Sequence, residues 1–175
     1  MLISPGYAAR MSPDLQEAVV HEAVAARLAD RAGRYTGARR DLIQALAVAG
    51  RPLTVDEIVV HAPRQRPSSV YRNLAVFEAE GVVRRLAGPG DLARFELTES
   101  LVGHHHHLAC EVCGAMTDVH LPHALEHQLE QALNELAGVE GFTLSAHVLD
   151  AVGVCRACTD AAEGPRPANA PSRDR

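Results

Sequence analysis

Two cysteine pairs constrain this chain more than any other feature of its sequence. CEVC occupies residues 110–113 and CRAC occupies residues 155–158, with 41 residues between the two pairs. Four thiolates from two CxxC turns complete a tetrahedral zinc site, which ties together two segments that are distant along the chain. Because no coordination position stays open, the predicted ion is structural. Its ligands are Cys110, Cys113, Cys155 and Cys158.

Two other uses of the cysteine pairs are less well supported. The first residues lack the charged start and the apolar stretch of a signal peptide, so we expect a cytoplasmic chain, in which disulfides are rare. A thioredoxin-like redox site requires a CxxC pair that opens a helix after a strand, whereas we predict strand and turn around both pairs. No run of 18 apolar residues predicts a membrane span.

Charge and metal-binding residue types divide the chain into two halves. All four cysteines and eight of the ten histidines lie beyond residue 103. Residues 1–100 carry 13 arginines and 12 acidic residues, whereas residues 101–175 carry 4 arginines and 10 acidic residues. The net charge of −5 therefore averages a weakly basic half and an acidic half. We predict a first domain over 1–97, a hinge over 98–103, a second domain over 104–161 and a disordered tail over 162–175.

Helical periodicity and capping residues predict four helices followed by a β-hairpin in the first half. The helices are expected over Leu15–Ala29, Gly37–Val48, Val55–His61 and from Pro67 to just before Gly81, and the strands over Val82–Leu86 and Ala93–Leu97. Thr36 and a Thr54–Glu57 capping box begin the second and third helices, and Ser68 or Ser69 is expected to cap the fourth. The apolar stripe of the first helix is expected at Leu15, Val19, Ala23 and Ala26. This order of elements is typical of a winged helix-turn-helix.

Arginines gather at three places along this predicted winged helix. They flank the start of the second helix, surround the start of the fourth helix and occupy the hairpin: Arg34, Arg39, Arg40; Arg64, Arg66, Arg72; Arg84, Arg85, Arg94. A guanidinium binds phosphate in a bidentate fork and binds guanine edges in the major groove, so these clusters suit DNA docking. A solvated arginine-rich surface is the alternative that composition leaves open.

Four consecutive histidines precede the first cysteine pair. On an extended strand alternate residues face opposite sides, so His105 and His107 point one way while His104 and His106 point the other. One strand can therefore supply two metal sites, although a solvated polar strand edge is the alternative. Further oxygen and nitrogen ligands are expected on the hairpin, after the cysteine pair, on a helix over Leu121–Leu136 and on a strand over Phe142–Leu149: Glu96, Asp118, Glu126 and His147. Such ligands suit Zn²⁺, Fe²⁺ or Mn²⁺.

In the order of these motifs, the sequence resembles the ferric uptake regulator family over about residues 30–160. The matching segments are SVYRNL at 69–74, EGVV at 80–83, RFEL at 94–97, the histidine run, CEVCG at 110–114, Asp118 and the second cysteine pair after His147. The family consists of cytoplasmic, homodimeric, metal-sensing transcription factors, usually repressors. The resemblance implies an α+β chain in which a winged helix-turn-helix domain precedes a small α/β dimerisation domain with a pair of zinc knuckles.

The resemblance also implies three metal sites and a DNA surface. The four cysteines would bind structural Zn²⁺. A regulatory site near the hinge would bind a second divalent metal through Glu96, His105, His107 and Asp118. An additional site in the dimerisation domain would use His104, His106, Glu126 and His147. Contacts to a double-stranded DNA operator would come from Arg34, Ser69, Tyr71 and Arg72.

Two departures from the family pattern leave the sensed metal open. Many members supply a histidine to the regulatory site just before the third helix, where this chain has Pro52. His61 is a candidate to substitute for it, and whether His61 or His120 completes a metal site is left open. Zinc-sensing members often use a cysteine and an aspartate there, whereas this chain has Arg84 at the aspartate position and no spare cysteine.

The resulting hypothesis is a metal-responsive repressor whose metal-bound dimer binds a palindromic operator, in iron, zinc or manganese homeostasis. An alternative within the same family is a peroxide sensor, in which bound Fe²⁺ promotes oxidation of a histidine ligand. A zinc-dependent hydrolase represents a different class, but neither the HExxH helix motif nor an HxHxDH pattern occurs in the sequence.

Overall fold

A computed structural model describes residues 13–29, 33–87 and 92–163 of the chain. Within these ranges the elements are α1 (Pro13–Ala29), α2 (Gly37–Ala49), α3 (Val55–His61), α4 (Pro67–Ala79), β1 (Val83–Ala87), β2 (Ala93–Leu97), α5 (Glu99–Val102), β3 (His106–Cys110), β4 (Met116–Val119), α6 (His123–Val139), β5 (Asp150–Gly153) and α7 (Arg156–Glu163). Four helices and a hairpin precede a second, three-stranded sheet, which confirms the predicted α+β class.

One apolar core joins the four N-terminal helices to the hairpin. Ile43 on α2, Ile58 on α3 and Phe77 on α4 are completely buried in it. Burial of a side chain of this size contributes about 1.5–3 kcal/mol. β1 and β2 pair antiparallel, and Leu53 exchanges two backbone hydrogen bonds with Phe95 of β2 at 2.8 and 2.9 Å. The core therefore fixes the hairpin, including the carboxylate next to Phe95, against α2 and α3.

Most of the predicted helix caps are confirmed. The Thr36 hydroxyl accepts a hydrogen bond from the Arg39 backbone N–H, and Thr54 and Glu57 form a complete capping box. The cap predicted for α4 at Ser68 or Ser69 is wrong, because the helix begins at Pro67 with Arg66 as the preceding residue. Proline needs no capping partner at the first helical position, since it has no N–H and its φ is already helical.

The predicted apolar stripe of α1 is wrong by one residue. Val20, Val24 and Leu28 are buried, whereas Val19 and Ala23 are only half-buried. The predicted stripe ran through alanines, which remove little apolar area from water compared with valine and leucine. The same buried side includes His21, whose two ring nitrogens contact the Tyr35 hydroxyl at 2.5 Å and Gln44 Oε1 at 2.9 Å.

The second sheet has the strand order β4-β3-β5, with β3 antiparallel to β4 and parallel to β5. The strand predicted over Phe142–Leu149 is wrong, because those residues form no strand and the strand lies at Asp150–Gly153. The parallel ladder places Gly153 beside Cys110, so the second cysteine pair returns to the first. Helix α6 begins at His123, two residues later than predicted, because the chain before it passes through Pro122.

The segment between the two sheets contains one helical turn, α5. This segment accepts hydrogen bonds from Arg27 on α1 and from Arg84 on β1. Arg27 donates to the carbonyl of Gly81 at 2.6 Å and to the Ser100 hydroxyl at 2.9 Å. Arg84 Nη1 donates to Glu99 Oε1 at 2.9 Å. The predicted hinge over 98–103 is therefore attached to α1 through Arg27 and to β1 through Arg84.

The described residues end inside the segment predicted to be a tail. Helix α7 extends to Glu163, so the beginning of the predicted tail over 162–175 is helical, and residues 164–175 lie outside the described residues. Among the helices that the structure describes, none is both long and apolar enough to cross a membrane.

We expect Thr54→Ala to lower the free energy of unfolding by about 1 kcal/mol, because it leaves the Glu57 backbone N–H without its capping oxygen. Denaturant unfolding followed by circular dichroism measures the change. Ser68→Ala is the matched control, and it should change the free energy of unfolding by less than about 0.5 kcal/mol. Equal losses in the two variants would contradict the assignment of the caps.

Candidate metal centres

The four cysteines converge at the ends of β3 and β5. Cys110 Sγ lies 3.9 Å from Cys158 Sγ, and Cys113 Sγ lies 3.7 Å from Cys155 Sγ. Sulfurs bound tetrahedrally to zinc at about 2.3 Å are separated by about 3.8 Å, whereas a disulfide requires about 2 Å. The cluster therefore has the dimensions of a four-thiolate zinc site.

A tight turn and a helix start position these sulfurs. After Cys110 the chain reverses at Gly114, whose φ of 70° is in the left-handed region and whose N–H donates to the Cys110 carbonyl at 2.8 Å. The prediction of strand and turn around the second pair is wrong on one side, because Cys158 lies in the first turn of α7. Backbone N–H groups of Cys113 and Cys155 lower the pKa of the Cys110 thiol to about 6, which favours the thiolate that a cation requires.

A second cluster lies at the junction of the hairpin and the second sheet. Glu96 from β2 faces two histidines of the run, with Glu96 Oε2 at 3.3 Å from His105 Nε2 and 3.0 Å from His107 Nε2. Asp118 from β4 completes the group, with its oxygens 3.8 Å from His107 Nε2 and 4.0 Å from His105 Nε2. The structure thus brings together all four residues of the expected regulatory site, within 4.8 Å of one another.

The far side of each histidine ring in this cluster is hydrogen-bonded. His105 Nδ1 donates to the Gly103 carbonyl at 3.0 Å, and His107 Nδ1 donates to Asp150 Oδ1 at 2.9 Å. While a ring is doubly protonated, its Nε2–H donates to Glu96. Because Nδ1 keeps its proton against a fixed acceptor, a divalent cation would displace the Nε2 proton, and the lone pair would then be directed at the cluster, as metal-binding histidines require. Sequence analysis missed Asp150, since its position opposite His107 follows only from the register of β3 with β5.

The electrostatics of this cluster fit a cation. Burial alone would raise the pKa of Glu96, but hydrogen bonds from His105, His107 and Arg84 outweigh burial and lower it to about 2. Burial raises the pKa of Asp118, and its buried Oδ1 atom has no hydrogen-bond partner among the described residues. A buried carboxylate oxygen without a donor is costly unless a cation binds it. The cluster can therefore bind a divalent metal through two nitrogens and two carboxylates.

A third cluster lies on the opposite side of β3. Glu126 on α6 faces three histidines: its Oε1 is 3.3 Å from His104 Nε2 and 3.1 Å from His147 Nε2, and its Oε2 is 2.8 Å from His106 Nε2. The first two contacts lack hydrogen-bond geometry, so three buried atoms that face one another are unpartnered. Ligand atoms about 2.0–2.2 Å from a tetrahedral ion are separated by about 3.3–3.6 Å. The expected additional site thus also has the dimensions of a metal site.

His61 and His120, the two histidines considered as possible further ligands, lie in different places. His61 is exposed and lines a separate cavity with Asp41 and Arg64, so it is not part of the regulatory cluster. His120 is exposed, and its ring centroid lies 6.4 Å from that of His105. It lines a cavity of about 470 Å³ together with Glu96, His105 and Asp118. Only His120 is therefore close enough to approach a metal in that cluster.

The expected DNA surface is partly formed. Arg34, Tyr71 and Arg72 are exposed and Ser69 is half-buried. The prediction that Arg84 and Arg94 belong to the DNA surface is wrong. Arg94 is buried, with its Nη1 atom 3.1 Å from Glu57 Oε2, and Arg84 is paired with Glu96 and Glu99. Carboxylates from neighbouring elements face these two guanidinium groups. Arg85 is the remaining hairpin arginine of the predicted cluster, and it is exposed.

Comparisons with known proteins agree with this arrangement. The chain matches the model of the ferric uptake regulator family over residues 31–152. It is 32% identical over 130 residues to the peroxide operon regulator of Bacillus subtilis (strain 168), covering 72% of this chain and 84% of that protein. The ferric uptake regulator of Vibrio cholerae superposes with a TM-score of 0.60 at 26% identity, covering 73% of this chain and 96% of that one.

A further structural relative shares the fold. The Helicobacter pylori ferric uptake regulator superposes with a TM-score of 0.66 at 22% identity, covering 86% of this chain and 95% of that one. That structure is described as revealing three functional metal binding sites. The family model spans most of the present chain, and the B. subtilis relative exceeds 30% identity over most of its length. The chain therefore belongs to the ferric uptake regulator family of metal-responsive transcriptional regulators.

Proposed function

We propose that this chain is a cytoplasmic, homodimeric repressor that binds a palindromic DNA operator more tightly when a divalent metal occupies the regulatory cluster. One observation carries the proposal. Glu96 belongs to the hairpin, whereas His107 lies on β3 of the second sheet and His105 directly precedes that strand, and the segment 98–103 separates them from Glu96. An ion bound by all three residues would cross-link the two sheets. Membership of a family of transcription factors excludes the hydrolase alternative.

The cross-link would act on the relative orientation of the two predicted domains, 1–97 and 104–161. In a dimer, the distance between the two α4 helices must match the spacing of the operator half-sites. Without the ion, the segment 98–103 would allow many orientations, of which few fit the operator. A shift from 1:99 to 99:1 in favour of the fitting orientation requires about 10⁴-fold tighter metal binding to that orientation.

The proposed DNA contacts are on α4 and before α2. Arg72 and Tyr71 project into solvent from the second turn of α4, and Ser69 precedes them on the same helix. Arg34 lies in the segment before α2, where it would reach an adjacent minor groove. Arginine contacts to phosphate release counterions, so the affinity should fall steeply with salt concentration.

A homodimer is supported by apolar side chains that the described residues leave uncovered. They lie on β3, on β5 and around the end of α6: Leu108, Val152, Val154, Leu136, Val139, Phe142 and Val148. β5 is an edge strand in which every residue is exposed. Exposed apolar side chains together with an open strand edge are typical of a protein interface. In this proposal, the four-cysteine zinc and the metal of the third cluster stabilise the domain that forms this interface.

We expect Cys155→Ser to lose the structural zinc and to fail to dimerise, because the cysteine cluster joins β3 to the end of β5. Zinc content by mass spectrometry and oligomeric state by analytical ultracentrifugation measure the two effects. Thr159→Ala, one turn further along α7, is the matched control and should retain both zinc and dimer. A folded, zinc-free dimer of Cys155→Ser would contradict the structural role.

We expect His105→Ala and His107→Ala to remove the metal dependence of DNA binding, because each removes a ligand that joins the second sheet to Glu96. Electrophoretic mobility shifts with and without Fe²⁺, Zn²⁺ and Mn²⁺ measure the metal dependence of DNA binding. The same assay ranks the metals by the DNA affinity that each produces. His123→Ala is the control, since this exposed residue belongs to none of the three clusters. Metal-dependent binding that persists in the double variant would contradict the cross-link.

Peroxide sensing is the second candidate function, and it is supported by the relative from B. subtilis and by a regulatory cluster built only from nitrogen and oxygen ligands. With Fe²⁺ bound, we expect peroxide to add one oxygen atom to the ring of His105 or His107, with water as the other product. Peptide mass spectrometry after treatment detects the gain. The Zn²⁺-loaded protein is the control, because zinc has no redox chemistry. Unmodified histidines in the Fe²⁺-loaded protein would reject this candidate.

A further inference from the structure

Both oxygens of the Glu96 carboxylate are already in use within the described residues. Oε2 faces the two histidine Nε2 atoms, and Oε1 accepts a hydrogen bond from Arg84 Nε. Arg84 comes from β1, directly opposite Glu96 in the hairpin ladder. The hairpin register therefore pairs the guanidinium with the Glu96 oxygen that does not face the histidines.

Arg84 is also attached at its other end. Its Nη1 atom donates to Glu99 Oε1 at 2.9 Å, and Glu99 Oε2 in turn accepts from His104 Nδ1 at 2.8 Å. A guanidinium that binds two carboxylates through separate N–H groups has lost most of its rotamer freedom. Release of Glu96 Oε1 by rotation of Arg84 would therefore disrupt the contact with Glu99 as well.

We propose that Arg84 is a specificity-determining residue of the regulatory site, and that it favours Zn²⁺ over Mn²⁺ and Fe²⁺ by restricting Glu96 to a single ligand oxygen. With Oε1 engaged, the cluster offers two imidazole nitrogens, one oxygen of Glu96 and one carboxylate of Asp118. Four ligands of this kind suit tetrahedral Zn²⁺. Mn²⁺ and Fe²⁺ favour more ligands, which a bidentate glutamate helps to supply. The inference rests on the proposed function, because it concerns the metal of the same site.

Two other features of the chain agree with a small number of ligands. Pro52, at the position where the family resemblance would place a further histidine, has a side chain that cannot bind metal. His61 is part of a separate cavity, and His120 lies beside the cluster but outside the group of four residues whose ligand atoms converge. If Zn²⁺ is preferred, little Fe²⁺ would be bound at the site, so the inference opposes the peroxide-sensing candidate.

Loss of the Arg84 charge and gain of a second Glu96 ligand oxygen have different effects on metal binding. The ratio of the affinities for two metals distinguishes the two effects. Removal of the Arg84 guanidinium makes the site more negative and should strengthen the binding of every divalent ion. Only the release of Glu96 Oε1 as a ligand should strengthen Mn²⁺ relative to Zn²⁺. The measured quantity is therefore the ratio of the Mn²⁺ and Zn²⁺ dissociation constants. Arg85→Ala removes the same charge from the next position of β1, whose exposed side chain does not contact Glu96, and is the matched control.

The experiment uses full-length protein with zinc bound at the four cysteines and with His147→Ala in every variant, so that the third cluster lacks one ligand. Chelator competition gives the Zn²⁺ affinity and electron paramagnetic resonance gives the Mn²⁺ affinity. We expect Arg84→Ala to shift the ratio towards Mn²⁺ by at least about tenfold, and Arg85→Ala to leave it unchanged. Co²⁺ should show the strong visible absorption of four-coordination with Arg84 present, and the weak absorption of six-coordination in Arg84→Ala.

Arg84→Met provides a second neutral variant if Arg84→Ala does not fold, because its longer side chain fills more of the vacated space and has no N–H group to donate to Glu96. An unchanged ratio in the folded variant, or a six-coordinate Co²⁺ spectrum with Arg84 present, would overturn the inference and leave the proposed function intact. His107→Ala distinguishes a failure of this inference from a failure of the proposed function. If His107→Ala changes neither the Co²⁺ spectrum nor the stoichiometry, no metal binds at the cluster, and both the proposed function and the inference fall.

Discussion

The pairing of β3 with its two neighbours determines the positions of the strand residues that contribute to the candidate metal sites. The parallel ladder with β5 sets Asp150 beside His107 and Gly153 beside Cys110, and the antiparallel ladder with β4 sets Asp118 beside His107. A slip of one residue would exchange the faces on which alternate side chains lie. It would then separate His105 and His107 from Glu96 and move Cys110 away from Cys155. The cysteine cluster and the regulatory cluster thus both depend on the register of β3 with its neighbours.

Much of this arrangement could be predicted from the sequence, because several of its causes are local. The alternation of strand side chains predicted which histidines share a side, and capping chemistry predicted the starts of α2 and α3. The parts that were wrong depend on tertiary packing. The strand at Asp150–Gly153 exists because β3 presents an edge to it, and nothing within Phe142–Leu149 signals that those residues remain unpaired. The involvement of Asp150 with His107 was beyond sequence analysis for the same reason.

The arginines show a further limit of sequence analysis. A guanidinium on a hairpin that precedes a metal site has two uses, one with phosphate and one with the carboxylates of the site. Composition cannot distinguish them. The structure assigns Arg84 and Arg94 to carboxylates and leaves Arg72 and Arg85 exposed. The buried carboxylate of Glu96 thus has a permanent cationic partner, which compensates part of its desolvation even without a metal.

The attachment of Arg27 to both ends of the hairpin region has a mechanical consequence. Its guanidinium binds the Gly81 carbonyl, directly after α4, and the Ser100 hydroxyl on α5. Because Val24 and Leu28 pack α1 into the apolar core, the backbone of Arg27 is held in place while its guanidinium binds Gly81 and Ser100. A displacement of α5 must either break one of these hydrogen bonds or move the end of α4. Strain that arises beside the regulatory cluster can therefore reach the helix proposed to contact DNA without passing along the hairpin.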